Sequence, residues 1–262
     1  MKTINAKSIC RLYACIICVC LICVITVSCK EVVNKISDGF DGPESIYMEF
    51  REAYTMDEVF SDLVEIDNAL KPDTLNTEKN PLFASDEELN TDKGPLFRLL
   101  KTGYTGSSVI GFAQEKDTAE VSRIINEGFN EMGYDGVFSI AWGNHPVPDM
   151  QNDDSPVYEL YVLHAKNKDN ITISNGDIME ARCDDSQSYI SINLTMTEEG
   201  GRKFESMTRN NINNYIAILG NGRVYSAPRV MSVVSGGKVE ITGNFSMDEA
   251  RHIAKVLTAH ND

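Results

Sequence analysis

Few residues in this 262-residue chain are of types and spacings that could do chemistry. The four histidines are His145, His164, His252 and His260, and no two are spaced as metal ligands on one helix or turn. Cys183 stands far from the other six cysteines and has no histidine beside it, so a half-buried small residue is expected there, not a nucleophile. Asp153-Asp154 and Asp184-Asp185 could hold a calcium ion weakly, but neither follows the EF-hand pattern, and solvated loop acids are expected. The Gly-x-Ser-x-Gly elbow, the P-loop and the dinucleotide-binding glycine pattern are all absent. Gly103 to Gly111 is rich in glycine and serine but has no lysine placed for phosphate. No catalytic residue, metal or cofactor is expected, and the chain reads as a non-enzyme.

The one residue with a chemical expectation is Cys29. Lys2, Lys7 and Arg11 precede an uncharged run from Leu12 to Ser28, the pattern of an export signal. The run closes on Thr26-Val27-Ser28-Cys29, which resembles the lipobox of bacterial lipoproteins; this implies lipidation of Cys29 after cleavage just before it. Thr26 stands where that motif usually has leucine, and an uncleaved membrane helix is the alternative. Either way the positive flank stays inside and residues 30–262 lie on the far side, in the periplasm or outside the cell. Six of the seven cysteines lie at positions 10–29, so no intramolecular disulfide can brace the exported body. All but three of the 24 Lys and Arg lie beyond residue 29 together with all 39 Asp and Glu, a formal charge of −18. Such a surface repels nucleic acid and anionic headgroups.

The elements follow from periodicity and punctuation. Residues 30–54 are polar and acidic with Gly39, Gly42 and Pro43, and read as a tether. Thr55 and Glu58 form a capping box for a helix that carries Val59, Phe60, Leu63, Val64 and Leu70 and stops at Pro72. Residues 71–93 read as a loop. Pro95 to Leu100 forms a short helix, and Val109 to Phe112 a strand. Asp117 and Glu120 cap a helix with an apolar stripe of Val121, Ile124, Ile125, Phe129 and Met132, ended by Gly133. Val137 to Trp142 and Val157 to Leu163 are strands about a proline-rich loop. Ile178 to Arg182 and Tyr189 to Met196 follow as strands, the second with Ile190, Ile192 and Leu194 on one face. Thr197 caps a helix with Phe204, Met207 or Thr208, and Ile212 inward; Gly200-Gly201 in its first turns suggests close packing. Tyr215 to Leu219 and Arg223 to Ser226 form a hairpin about Asn221-Gly222. Gly236-Gly237 turns into Val239 to Thr242, and Ser246 and Glu249 cap a last helix with Ala250, Ile253, Ala254 and Leu257 inward.

The ordered set Leu194-Thr195-Met196-Thr197-Glu198-Glu199-Gly200, Phe204, Thr208-Arg209-Asn210-Asn211-Ile212, Ile216 to Leu219, Gly222-Arg223-Val224-Tyr225-Ser226-Ala227-Pro228, Gly236-Gly237, Ile241 to Ser246 and Glu249 to Ala254 resembles the periplasmic head of SecD and SecDF. Upstream, Pro95-Leu96-Phe97, Val109 to Phe112, Lys116 to Val121, Trp142-Gly143 and Tyr158 to Tyr161 are similar to the part of that family preceding the head. The resemblance covers roughly 80–262. It implies an α+β fold: an antiparallel head sheet with packed helices, preceded by a smaller ferredoxin-like base. The resulting division is 1–29 signal or anchor, 30–78 tether and first helix, 79–165 base-like region, and 166–262 head-like domain. The Asp-Leu-x-Gly-Gly segment of the family's base is missing, and Asn221-Gly222 replaces its Asp-Gly with the same turn chemistry. Nothing after residue 29 is apolar enough to span a membrane, so a proton-driven motor is not expected of this chain. The resemblance implies a membrane-anchored module accessory to protein translocation, whose partners are unfolded or emerging polypeptide or translocon components. Sheet edges near Ser232 to Thr242 could add a strand from such a chain. The alternative is an envelope interaction or assembly protein that reuses the fold without an export role.

Overall fold

The computed structural model describes residues 45–71, 93–150, 155–166, 171–186 and 189–259. Cys29, the signal, the start of the tether, the loop after Lys71 and Asp153-Asp154 lie outside them. The strands are β1 (Met48–Ala53), β2 (Lys101–Thr102), β3 (Gly111–Gln114), β4 (Phe138–Gly143), β5 (Val157–His164), β6 (Ile173–Ser174), β7 (Ile178–Asp184), β8 (Ser191–Met196), β9 (Tyr215–Gly220), β10 (Arg223–Ser226) and β11 (Lys238–Thr242). The α-helices are α1 (Met56–Ala69), α2 (Pro95–Leu99), α3 (Thr118–Glu131), α4 (Glu198–Asn210) and α5 (Met247–Ala259).

Five strands close on themselves. β1 pairs β9, β9 pairs β10 through the hairpin, β10 pairs β4 in parallel, β4 pairs β5, and β5 returns to β1 at Leu163 opposite Ala53. β3 and β2 extend the sheet from β5, and β6 extends it from β1. The strand order is thus a closed five-stranded barrel within a mixed α+β fold. A barrel of so few strands is narrow and can hold only small or few side chains. Its interior cluster fits that limit: Ala53, Ala141, Ala217, Leu163, Leu219, Val224 and Tyr161.

The outer faces of the barrel carry two further cores. On one, α1, α2 and α3 pack Val59, Leu63, Ile66, Leu96, Val121, Ile124, Ile125 and Phe129 against Ala113, Trp142, Leu160 and Val162. On the other, Ile46 ahead of β1, Met48 and Phe50 of β1, and Ile216 and Ile218 of β9 meet the antiparallel sheet β11-β8-β7 and helices α4 and α5.

Two expectations change here. The tether reading of 30–54 fails over Met48–Ala53, which is a barrel strand. Its polar residues hid it. Glu49 and Arg51 alternate with Met48 and Phe50, but they are as buried as their apolar neighbours. Arg51 donates to the His164 carbonyl and approaches Glu49 at 3.8 Å, and the Lys166 ammonium meets the other Glu49 oxygen. Buried charges of both signs are tolerable because they are paired. The division at 165/166 also fails as a boundary between sheets. β9 and β10, from the later stretch, lie between β1 and β4 of the barrel, and residues 44–262 form one compact unit.

Most local punctuation holds. Glu58 accepts from the Thr55 N–H at 2.7 Å, and Thr197 Oγ1 accepts from the Gly200 N–H at 3.0 Å. Asn221 and Gly222 both take positive φ, 50° and 78°, the geometry of a type I′ turn. Gly200 sits so close to Asp177 that an added Cβ would lie 2.2 Å from the Asp177 carbonyl oxygen. Asp117 does not cap α3. It ends a 3₁₀ turn in helical geometry, and its side chain makes no capping bond. Ile212, expected inward, is 45% exposed because the helix stops at Asn210.

Candidate functional site

Among the described residues, His145, His164, His252 and Cys183 do not assemble a reactive centre. His145 Nε2 lies 3.1 Å from Glu249 Oε2, and Asn144 donates to the other oxygen of that carboxylate at 3.1 Å. These residues sit beside a cavity of about 190 Å³ lined by Gly143 to Pro148, Glu159, Val224, Tyr225 and Asn244. Burial, with Glu249 adding to it, pushes the Tyr225 phenol up to about 12. His164 stacks on Tyr54 at 4.1 Å between ring centres. Burial raises the Cys183 thiol, whose sulfur lies 3.8 Å from Met247 Sδ, so a reactive thiolate is disfavoured. Asp184 accepts from the Ser186 N–H at 2.9 Å, and Asp185 lies 3.7 Å from Arg251. Among the described residues no group of three or more His, Cys, Asp or Glu is placed to hold a metal ion. His260 lies outside the described residues.

The feature with binding chemistry is the edge of the three-stranded sheet. The Met196 N–H donates to the Gly237 carbonyl at 2.8 Å, which fixes the phase of the β8–β11 ladder. Bonded and non-bonded pairs alternate in an antiparallel ladder. With Lys238 opposite Thr195, Val239 and Ile241 therefore bond to Leu194 and Ile192. Lys238, Glu240 and Thr242 then turn their N–H and C=O groups away from β8. β11 is the outer strand, and no described strand pairs with that side.

The opposite edge is treated differently. Ala181 of β7 turns its main-chain groups outward, and the Thr258 hydroxyl of α5 meets both. It accepts from the Ala181 N–H at 3.3 Å and donates to the Ala181 carbonyl at 3.0 Å. An unpaired edge invites another strand, and covering it removes the invitation. At Ala181 the β7 edge is occupied in this way, whereas no described strand pairs with the outer side of β11.

An apolar groove of about 340 Å³ adjoins the open edge. Phe50 of β1, Phe204 of α4, and Ile216 and Ile218 of β9 line it, together with Val230 and Val234 of the connection leading into β11. That connection is anchored: the Thr208 hydroxyl accepts from the Val234 N–H at 3.0 Å, and Arg229 Nε donates to the Asn213 carbonyl at 2.9 Å. Met231 stands on the groove's margin with 74% of its surface exposed. The strand edge lies where the sequence expected it, near Ser232 to Thr242. The groove floor does not follow from the sequence, because Phe50 and Phe204 are 154 positions apart. Their rings meet edge-on at 5.7 Å.

Comparison with known proteins bears on the same region. Residues 156–260 match the family model described as SecDF, P1 head subdomain. Protein translocase subunit SecDF of Thermus thermophilus is 41% identical over 86 residues, covering 32% of this chain and 12% of that protein. Protein translocase subunit SecD of Acidaminococcus fermentans is 29% identical over 178 residues, covering 58% of this chain and 40% of that protein. The chain thus spans less than half the length of these curated relatives. A solved structure described as a membrane component SecDF that enhances protein export aligns over 81% of this chain and 93% of that one, at 22% identity and a TM-score of 0.34.

Proposed function

We propose, for a chain that matches the SecD/SecDF family, that its exported body holds extended segments of translocating polypeptide as an accessory to protein export. The observation that carries this reading is the open β11 edge. Lys238, Glu240 and Thr242 offer main-chain donors and acceptors beside an apolar groove. Main-chain pairing gives affinity that tolerates many sequences, which suits a binder of diverse unfolded chains. The occupied main-chain groups of Ala181 on the β7 edge support the same reading, since no described strand pairs with the outer side of β11. Translocon components are the other class of partner, reached through the same membrane location. No nucleic acid is a partner of so acidic a body.

The body works at the membrane through residues 1–29, either by a lipid on Cys29 or by the apolar run itself. Among the described residues no helix is long and apolar enough to cross a membrane. Mass spectrometry of the purified protein tests the anchor. A diacylglyceryl group on an N-terminal Cys29 is expected, and an intact N-terminal methionine would replace the lipid with a helix.

The binding role is tested with a photoreactive residue at Lys238. Crosslinks to exported chains arrested during translocation are expected, and adding Glu240→Pro reduces their yield about threefold or more by removing one outward N–H. Crosslinks only to folded envelope proteins would overturn the export role in favour of an assembly role.

A further inference from the structure

We infer that the β11 site selects polypeptide segments with apolar residues at every second position, the pattern of an amphipathic strand, over segments of the same composition in helical or block order. The inference rests on strand addition at β11 and goes beyond it by specifying what the added strand must carry.

It follows from the pleat. Side chains of β11 alternate: Ile241 is buried and Val239 half-buried toward the core, while Lys238, Glu240 and Thr242 are exposed. A strand added outside β11 continues the pleated surface, so its own side chains alternate in the same phase. One set projects over the groove, where Met231, Val234 and Val239 offer apolar surface above the buried Phe50, Phe204, Ile216 and Ile218. The other set lies on the solvent face with the exposed side chains of Lys238 and Glu240, residues that also border the groove. Apolar groups gain by entering the groove, and they gain nothing beside exposed charges of both signs.

The outward main-chain groups of β11 argue the same way. A helix bonds its own N–H and C=O groups internally and would leave those of Lys238, Glu240 and Thr242 unpaired. A few side chains of an extended chain are within the groove's capacity. Met231, long and unbranched, stands at the margin where it can adjust to different side chains. Lys238 and Glu240 are two positions apart on the solvent face, so the strand's polar positions meet one charge of each sign.

Fluorescence anisotropy with the full chain in detergent micelles tests the inference. Three labelled 12-residue peptides of identical composition are compared: strictly alternating apolar and polar, heptad-patterned, and apolar in one block. A fourth is the alternating peptide N-methylated at every second residue. The alternating peptide is expected to bind roughly tenfold tighter than either rearrangement, the effect of one or two more apolar side chains buried. N-methylation in the bonding phase should weaken it by a similar factor. Equal binding of the three arrangements, with N-methylation still weakening, would overturn the selectivity and leave strand addition standing. No binding by any peptide, or binding indifferent to N-methylation, would overturn strand addition itself and the selectivity with it.

Discussion

His164 shows how much a single residue's role depends on distant neighbours. Its ring lies flat on Tyr54, and Glu52 Oε2 is 3.7 Å from Nδ1. The carboxylate favours the protonated form, but burial opposes it more strongly and holds the imidazole below its ordinary range. The folded state therefore prefers the neutral ring, while the unfolded chain takes up a proton near pH 6.5. As pH falls below about 6.5 the unfolded state binds more protons, and stability declines until the folded-state value is passed. His164→Gln should flatten the fall in urea midpoint between pH 7.5 and 5.5; an unchanged fall would assign the pH dependence elsewhere. Local caps such as Thr55 with Glu58, and Thr197, were legible because donor and acceptor are three residues apart. Asp67 was not. It reaches from α1 to accept from the N–H groups of Gly94, Leu96 and Phe97 at 2.7–3.1 Å, capping a helix 27 positions away. Glu249 looks like half of a capping box with Ser246, yet its carboxylate is engaged by Asn144 and His145.

At the level of elements, β1 and β11 mark the two ways sequence reading can fall short. Glu49 and Arg51 gave β1 a polar composition, and their burial is tolerable because Lys166 meets Glu49, the His164 carbonyl accepts from Arg51, and the two approach each other. β11 was legible as a strand at a sheet edge, but which of its main-chain groups face outward was not, because that depends on the phase of its ladder with β8. The phase of its ladder makes a paired prediction. Ile241→Pro deletes a bond to β8 at a residue 1% exposed and should lower stability by about 3 kcal/mol or more. Glu240→Pro deletes only an outward N–H and should leave the denaturation midpoint within about 1 kcal/mol of wild type, while binding falls. Equal destabilisation by both would mean that the ladder has the opposite phase.

For the whole molecule, the barrel makes the earlier and later stretches interdependent. β9 is held between β1 and β10, and β10 pairs with β4 through Arg223 opposite Trp142 and Val224 opposite Gly143. A fragment of residues 166–262 keeps the β11-β8-β7 sheet but loses β1, β4 and β5, and with them the partners of Ile216 and Ile218. Such a fragment should lack a cooperative thermal transition, while residues 44–262 should unfold in one. A cooperative transition in the fragment would restore 165/166 as a domain boundary. The physical reason is that the Ala53, Ala141 and Ala217 cluster is assembled from three separate stretches of chain, and no single stretch buries it.

The sequence alone determined the acidic, disulfide-free character of the body, nearly every helix, most strands, the Asn221-Gly222 turn and the resemblance to the SecD head. These depend on interactions within a few residues, or on patterns that repeat along the chain. Closure of the barrel, burial of Glu49 and Arg51, the covering of β7 by Thr258 and the groove beside β11 came from tertiary structure. Each joins groups tens to more than a hundred positions apart, and no local preference encodes which distant partner completes a strand edge or a buried charge.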